Sequence, residues 1–133
     1  HMSYYFKGRI SFHDCDPAGI MFFAKIYSFM HSAYEEMISS YNLDEDYWNN
    51  QNYVVPIIEC GAKYRAPFKY GDNIEIQIDV TQLRSSSFEL SYKCFNQNQI
   101  LCVEGQTVHV HIDKKLWKKK KMSEKLFNSL SKV

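Results

Sequence analysis

An α+β fold, in which a curved antiparallel sheet of about five strands wraps one long central helix, is what this sequence predicts, and three observations predict it. First, His13–Tyr41 combines a polar turn with a single amphipathic helix: Ile26, Phe29, Met30, Ala33, Tyr34 and Met37 recur at i, i+3, i+4, i+7, i+8 and i+11 and share one face. Second, most of the remaining chain alternates apolar and polar residues at the strand period, with only short turns between runs, which makes neighbouring strands antiparallel. Third, 133 residues at 45% hydrophobic and 16% aromatic supply one core, and no linker or internal repeat divides them. Residues 3–133 therefore read as a single domain, and His1-Met2 as the remnant of a cloning tag.

The elements follow in order. Tyr4, Phe6, Gly8, Ile10 and Phe12 alternate with Tyr5, Lys7, Arg9 and Ser11, a half-buried first strand. The turn and long helix come next and end near Asn42. Leu43–Asn52 is polar apart from Tyr47 and Trp48 and reads as a loop. Val54–Ile58 reads as a strand, at an edge or starting at Pro56, because proline cannot donate to a ladder. Pro67 and Gly71-Asp72 mark turns. Ile74, Ile76, Ile78 and Val80 then form a strand, and Leu83–Ser87 a connection. Phe88, Leu90, Tyr92 and Cys94 form the next strand, and Asn96–Gln99 a hairpin turn. The last strand covers about Ile100 to Ile112, with Val108, Val110 and Ile112 on one face and Thr107, His109 and His111 on the other; Gly105 suggests a bulge. Met122–Leu130 fits a short terminal helix. A single sheet leaves edge strands and a second face open, which favours a homo-oligomer.

Composition excludes several classes. The net charge of +1 argues neither for nor against a polyanionic partner. No apolar run approaches the ~20 residues of a membrane span, so no membrane partner is expected. Cys15, Cys60, Cys94 and Cys102 show neither CxxC nor metal-finger spacing and read as reduced thiols of a cytoplasmic protein.

The chemistry concentrates where the turn meets the helix. Backbone N–H groups at a helix start lack intrahelical partners and lie at the positive end of the dipole. A carboxylate beside them can attack a carbonyl or activate water while the amides hold the oxyanion. Asp16 is that carboxylate: Pro17 holds it extended, and Gly19 permits a positive φ or close approach. The alternative role of Asp16 is a helix cap. Asp14 reads as structural, holding the turn.

HDCDPAGIMFF, with Asp14, Asp16 and Gly19 in an Asp-x-Asp-x-x-Gly pattern followed by bulky residues and an amphipathic helix, resembles the active-site segment of the hotdog-fold acyl-CoA thioesterases of the 4-hydroxybenzoyl-CoA thioesterase type. Pro56-Ile57-Ile58 and Tyr64-Arg65-Ala66-Pro67 with Gly71-Asp72 extend the resemblance over about residues 4–112. It implies that Asp16 is the catalytic nucleophile or base, with Gly19 in the turn and the Phe23 amide and its neighbours as oxyanion donors. It implies a homotetramer built from dimers with active sites at the dimer interface, and phosphates of the CoA substrate bound by Leu83–Ser87, here Arg84, Ser85 and Ser87. Phe22, Ile57, Ile58 and Glu59 are the candidates for walls of the acyl site. His31–Glu36 further resembles the subgroup that hydrolyses 1,4-dihydroxy-2-naphthoyl-CoA in quinone biosynthesis. No cofactor and no metal are expected.

Other readings remain beside this one. Hydratase chemistry on the same fold needs an Asp/His pair, for which His13 is the only nearby histidine. His109 and His111, at i and i+2, would suit a metal, but no third ligand stands at a telling spacing. Lys118–Lys121 would suit a non-catalytic acyl- or nucleotide-binding module whose tail meets nucleic acid, a partner the rest of the chain does not favour.

Overall fold

The computed structural model of residues 1–133 begins with β1 (Tyr4–Arg9), a 3₁₀ turn (Phe12–Asp14) and α1 (Lys25–Ser39). There follow β2 (Tyr53–Val54), β3 (Ile57–Tyr64), β4 (Asn73–Arg84), β5 (Ser87–Phe95), β6 (Leu101–Val110), β7 (Ile112–Asp113) and α2 (Glu124–Leu130). Five strands form one sheet in the order β1-β4-β5-β6-β3, and every neighbouring pair is antiparallel. β2 and β7 make a separate ribbon. The expected five-stranded sheet with one long helix is therefore present, and a short second helix closes the chain.

The helical face read from the spacing is the buried one. Ile26, Met30, Ala33, Tyr34 and Met37 are buried, joined by Ile38, while Phe29 is only half-buried at the rim. They pack against Ile74, Ile76 and Ile78 of β4 and Phe88, Leu90, Tyr92 and Cys94 of β5 in one core. Burying each large side chain of this set contributes roughly 1.5–3 kcal/mol. α2 adds Leu126 and Leu130, with Met122 and Val133, to the same core. Neither helix is long and apolar enough to cross a membrane.

Four features depart from the sequence reading. β1 stops at Arg9, because the chain turns into the 3₁₀ segment, and Phe12 is left exposed. β4 runs on to Arg84, so the connection to β5 is a tight two-residue turn, Ser85-Ser86. Gly105 lies in unbroken register, opposite Ala62 and Tyr92, and makes no bulge. Its role is close approach: a Cβ there would overlap the Met30 sulfur of α1. Finally, the single strand read over Val54–Ile58 is divided between β2 and β3, which lie in different sheets. Of the two faces that the sequence gives β6, the polar one turns inward. Thr107 and His109 are buried, whereas Val108 and Val110 are half-buried on the outer face. The register explains this, since Thr107 pairs with Leu90 and His109 with Phe88 on the core side of β5.

The inward polar groups are largely satisfied among themselves. Tyr92 Oη and Thr107 Oγ1 lie 2.8 Å apart, and Thr107 Oγ1 and His109 Nε2 2.7 Å apart. The His109 ring stacks on Phe88 at 4.5 Å and 8° and lies against Tyr34 at 4.5 Å. Burial pushes its pKa down to about 3, so the imidazole is neutral.

Candidate active site

The loop that carries Asp16 is built by its own backbone. The Asp16 carbonyl accepts from the Gly19 N–H at 2.9 Å, with Pro17 and Ala18 at the centre of the turn. Gly19 sits at φ +81°, a conformation L side chains rarely adopt. The Asp16 N–H donates to the Ile20 carbonyl at 2.9 Å, and Met21 N–H to the Phe68 carbonyl at 2.8 Å, which pins the loop to the turn before β4. Asp14 has the structural role expected of it. It is only 8% exposed, its Oδ2 accepts from the Ser11 N–H at 2.8 Å, and its carbonyl accepts from the Phe22 N–H at 2.8 Å.

Asp16 is half-buried. Its Oδ1 accepts from the Ala18 N–H at 2.9 Å, and its second carboxylate oxygen makes no hydrogen bond within the chain. The side chain caps its own turn rather than α1, whose N-cap residue is Ala24. That leaves the start of α1 open: the N–H groups of Phe23 and Ala24 have no acceptor, whereas the next amide, Lys25, bonds back to Phe22 O at 2.9 Å. The Tyr64 hydroxyl, at the end of β3, donates to Phe23 O at 2.5 Å. Phe22 and Phe23 pack ring on ring at 4.9 Å and both are exposed. A carboxylate oxygen with no partner, two vacant amide donors and an exposed aromatic wall can together activate water or attack a carbonyl, and hold the resulting oxyanion.

Acidic groups gather here. Burial, then Asp14, Asp16 and Asp72, push the Cys15 thiol up, so it stays protonated. His13 is exposed and meets Asp14 at 3.5 Å, with no contact to Asp16.

The other candidates divide between two places. Ile57 lines an apolar cavity of about 220 Å³ along α1, with Tyr27, Met30, His31, Tyr34, Cys60, Tyr92 and Thr107. Tyr27, one of its walls, stands four residues beyond Phe23, about one helical turn from the vacant amides. Ile58 falls in the register shift between Ile57 and Glu59 and is 64% exposed; Glu59 pairs with Val108 at the open edge. Arg84, Ser85 and Ser87 lie elsewhere. They stand at the far end of β4, and the Asp16 loop bonds to Phe68 and Tyr70 in the turn before its near end, so the strand separates the two groups by roughly 30 Å or more. One chain does not bring them to Asp16. Arg84 and Ser85 instead line a cavity with Lys121, Met122, Glu124 and Phe127. His109 and His111 are engaged as packing groups, His111 stacking on Tyr53 at 4.4 Å and pairing through Nδ1 with the Lys120 carbonyl at 2.7 Å.

Sequence reasoning missed Tyr64, Tyr27, Tyr92 and Thr107. Only Tyr27 carried a signal, standing at i+4 from Phe23; the others meet the site through long-range pairing.

The thioesterase-like superfamily matches residues 10–130 of this chain. The chain belongs to that superfamily. Among other superfamily members, it is 32% identical over 121 residues to the 1,4-dihydroxy-2-naphthoyl-CoA hydrolase of Crocosphaera subtropica, covering 89% of this chain and 88% of that one. It is 30% identical over 106 residues to the enzyme of that name from Thermosynechococcus vestitus, covering 79% and 73%. In three dimensions it matches the 1,4-dihydroxy-2-naphthoyl-CoA thioesterase from Synechocystis with a TM-score of 0.91 at 22% identity, over 99% and 98% of the two chains. A Staphylococcus aureus protein solved in complex with CoA gives 0.91 at 11% identity, over 98% of this chain and 83% of that one. The hotdog fold and the acyl-CoA thioesterase class that the Asp-x-Asp-x-x-Gly segment implied are both borne out.

Proposed function

We infer that this superfamily member hydrolyses the thioester of an aroyl-CoA, with 1,4-dihydroxy-2-naphthoyl-CoA as the first substrate to consider, and that Asp16 and the Phe23 and Ala24 amides carry the reaction. The observation that carries this reading is the pair of vacant amides at the start of α1, beside a loop that leaves one Asp16 oxygen free. The names of the relatives favour the naphthoyl group. So do the aromatic walls Tyr27, Tyr34 and Tyr92 of the neighbouring cavity.

In this reading the thioester carbonyl oxygen sits on the two amides. Asp16 either attacks the carbonyl carbon or takes a proton from a water that does. The carbon–sulfur bond breaks and CoA leaves as its thiolate; where Asp16 was the nucleophile, water then cleaves the Asp16–acyl anhydride and frees the carboxylate, and in either case water supplies the oxygen of the acid product and the proton of the thiol. A thiol pKa near 8.5 makes a strong general acid unnecessary. One oxyanion donor is worth roughly 3–4 kcal/mol in the transition state.

We propose further that the site takes groups from more than one copy. The apolar cavity that Ile57 lines along α1 is walled by none of Asp16, Phe22 and Phe23. The outer edge of β3 is unpaired, and its residues Ile57, Ile58 and Tyr64 are exposed. A second β3 laid antiparallel along it would carry the partner copy's Ile58-Glu59 end towards Tyr64 and Phe23. A dimer, or a homotetramer built from dimers, would then bring Arg84, Ser85 and Ser87 of one copy to the substrate of another. The proposed compartment is the cytoplasm, in keeping with four free thiols.

Aliphatic, phenacyl and naphthoyl CoA thioesters offered to the purified protein test this reading. The largest kcat/KM is expected for the naphthoyl ester. Hydrolysis of none of them overturns it, and faster hydrolysis of aliphatic esters reassigns the acyl group.

A further inference from the structure

The segment Lys114–Lys121, KKLWKKKK, takes no part in the site. It places six lysines around one leucine and one tryptophan. It is a built turn. Asp113 Oδ1 accepts from the Lys115 and Leu116 N–H groups, each at 2.9 Å, and Asp113 O accepts from Trp117 N–H at 2.9 Å. Asp113 N–H donates to Lys118 O at 2.7 Å, and Lys114 N–H to Asn52 O at 3.0 Å. Trp117 closes the turn at φ +55°. Beyond it, Lys119 bridges back to Ile112, and Lys120 N–H donates to His111 O at 2.9 Å.

This turn holds two large apolar side chains out of the protein. Leu116 is 69% exposed and Trp117 65% exposed. The lysines around them divide into two sets. Lys114 Nζ donates to Asn50 O at 2.7 Å, and Lys120 Nζ lies 3.6 Å from the Asp113 carboxylate. Lys115, Lys118, Lys119 and Lys121 have no acceptor in the chain. The acids of the neighbouring loop are engaged: Glu45 accepts from Asn52 at 2.6 Å, Asp46 from the Trp48 N–H at 2.9 Å, and Asp44 pairs with Lys125 at 3.8 Å.

We propose that this turn docks the enzyme on an anionic phospholipid surface, with Leu116 and Trp117 entering the headgroup layer and the four free ammonium groups facing lipid phosphates. A tryptophan and a leucine at the tip of a turn, flanked by long cationic stems, match the layered polarity of a bilayer interface. The charge is supplied by lysine alone. Lysine adds to a diffuse field, whereas fork-like recognition of individual nucleic-acid phosphates and bases favours arginine, and residues 114–121 contain none. A membrane partner was not expected from the sequence because no segment spans one; docking needs no span.

The test is co-sedimentation of the full chain with vesicles of phosphatidylcholine alone and of phosphatidylcholine mixed with phosphatidylglycerol. Binding is expected only with the mixed vesicles and is expected to weaken as salt is raised. Leu116→Ser with Trp117→Ser should abolish it. Lys115→Ser with Lys118→Ser should reduce it by about tenfold or more, each lysine near an anionic surface contributing a factor of roughly five. Both double variants should leave hydrolysis of a soluble thioester unchanged. In a Trp48→Phe background, Trp117 is the only tryptophan, and its emission should shift to the blue on the mixed vesicles. No binding to the mixed vesicles, equal binding by the Leu116/Trp117 variant, or preferential binding of a homopolymer RNA through the same lysines would overturn the proposal. So would a change in the native mass of the Leu116/Trp117 variant, which would make the turn a contact between copies.

Discussion

The Tyr64 hydroxyl donates to the Phe23 carbonyl at 2.5 Å, and the N–H of that same peptide unit is the vacant Ala24 donor. A hydrogen bond at one end of a peptide unit fixes its orientation and polarises the other end. Tyr64 therefore aims and strengthens a proposed oxyanion donor without touching the substrate. Tyr64→Phe should lower kcat by about tenfold with little change in KM, and cost about 1 kcal/mol of stability. A fall confined to KM would show that the hydroxyl meets substrate instead.

Asp16→Asn preserves the turn, because the amide oxygen can still accept from Ala18 N–H. The melting temperature should move by no more than a few degrees, while turnover falls by about 10²–10⁴. Thermal unfolding and steady-state hydrolysis on one preparation check both. Undiminished turnover would remove Asp16 from the mechanism.

Gly105→Ala places a methyl group against the Met30 sulfur. The expected loss is about 1–3 kcal/mol in urea unfolding, recovered in part when Met30 is shortened to Val. Simple additivity of the two changes would place the strain elsewhere.

His109 sets an acid limit on stability. Its pKa is held down to about 3 in the fold, against about 6.5 in the unfolded chain, because it is buried. Between these values the unfolded state binds the extra proton, so stability is full above about pH 6.5 and is lost as pH falls towards 3. Burial lowers His111 in the same direction. Urea unfolding as a function of pH should show this slope, worth roughly 5 kcal/mol over the interval. His109→Leu should flatten it, whatever it does to the absolute stability. An unchanged slope would place the titration on other groups.

What could be read from the sequence follows from how local each signal is. The buried face of α1 and the alternation of β4 and β5 are set by the period of each segment against the core, and both were legible. The Asp16 turn was legible because Pro17 and Gly19 encode its geometry. The inward face of β6 was not: its period separates Val108 and Val110 from Thr107 and His109, and only register with Phe88 and Leu90 turns the second pair inward. Gly105 looked like a bulge because its reason is a methionine 75 positions away. Tyr64 was read only as part of a turn motif, since its partner Phe23 lies 41 residues away. The resemblance gives the Arg84 group to the CoA phosphates without saying which copy supplies it, and a single chain separates it from Asp16 along the length of β4.

The bare flank of β3 affects the protein before it reaches any substrate. Its eight residues present a row of backbone donors and acceptors to whatever extended chain arrives first. If two copies pair along β3 as proposed, a newly made copy that meets its twin is protected, and one that meets a partly folded neighbour is open to mispairing. The yield of active material on refolding should therefore pass through a maximum as concentration rises, limited by encounter when dilute and by aggregation when crowded.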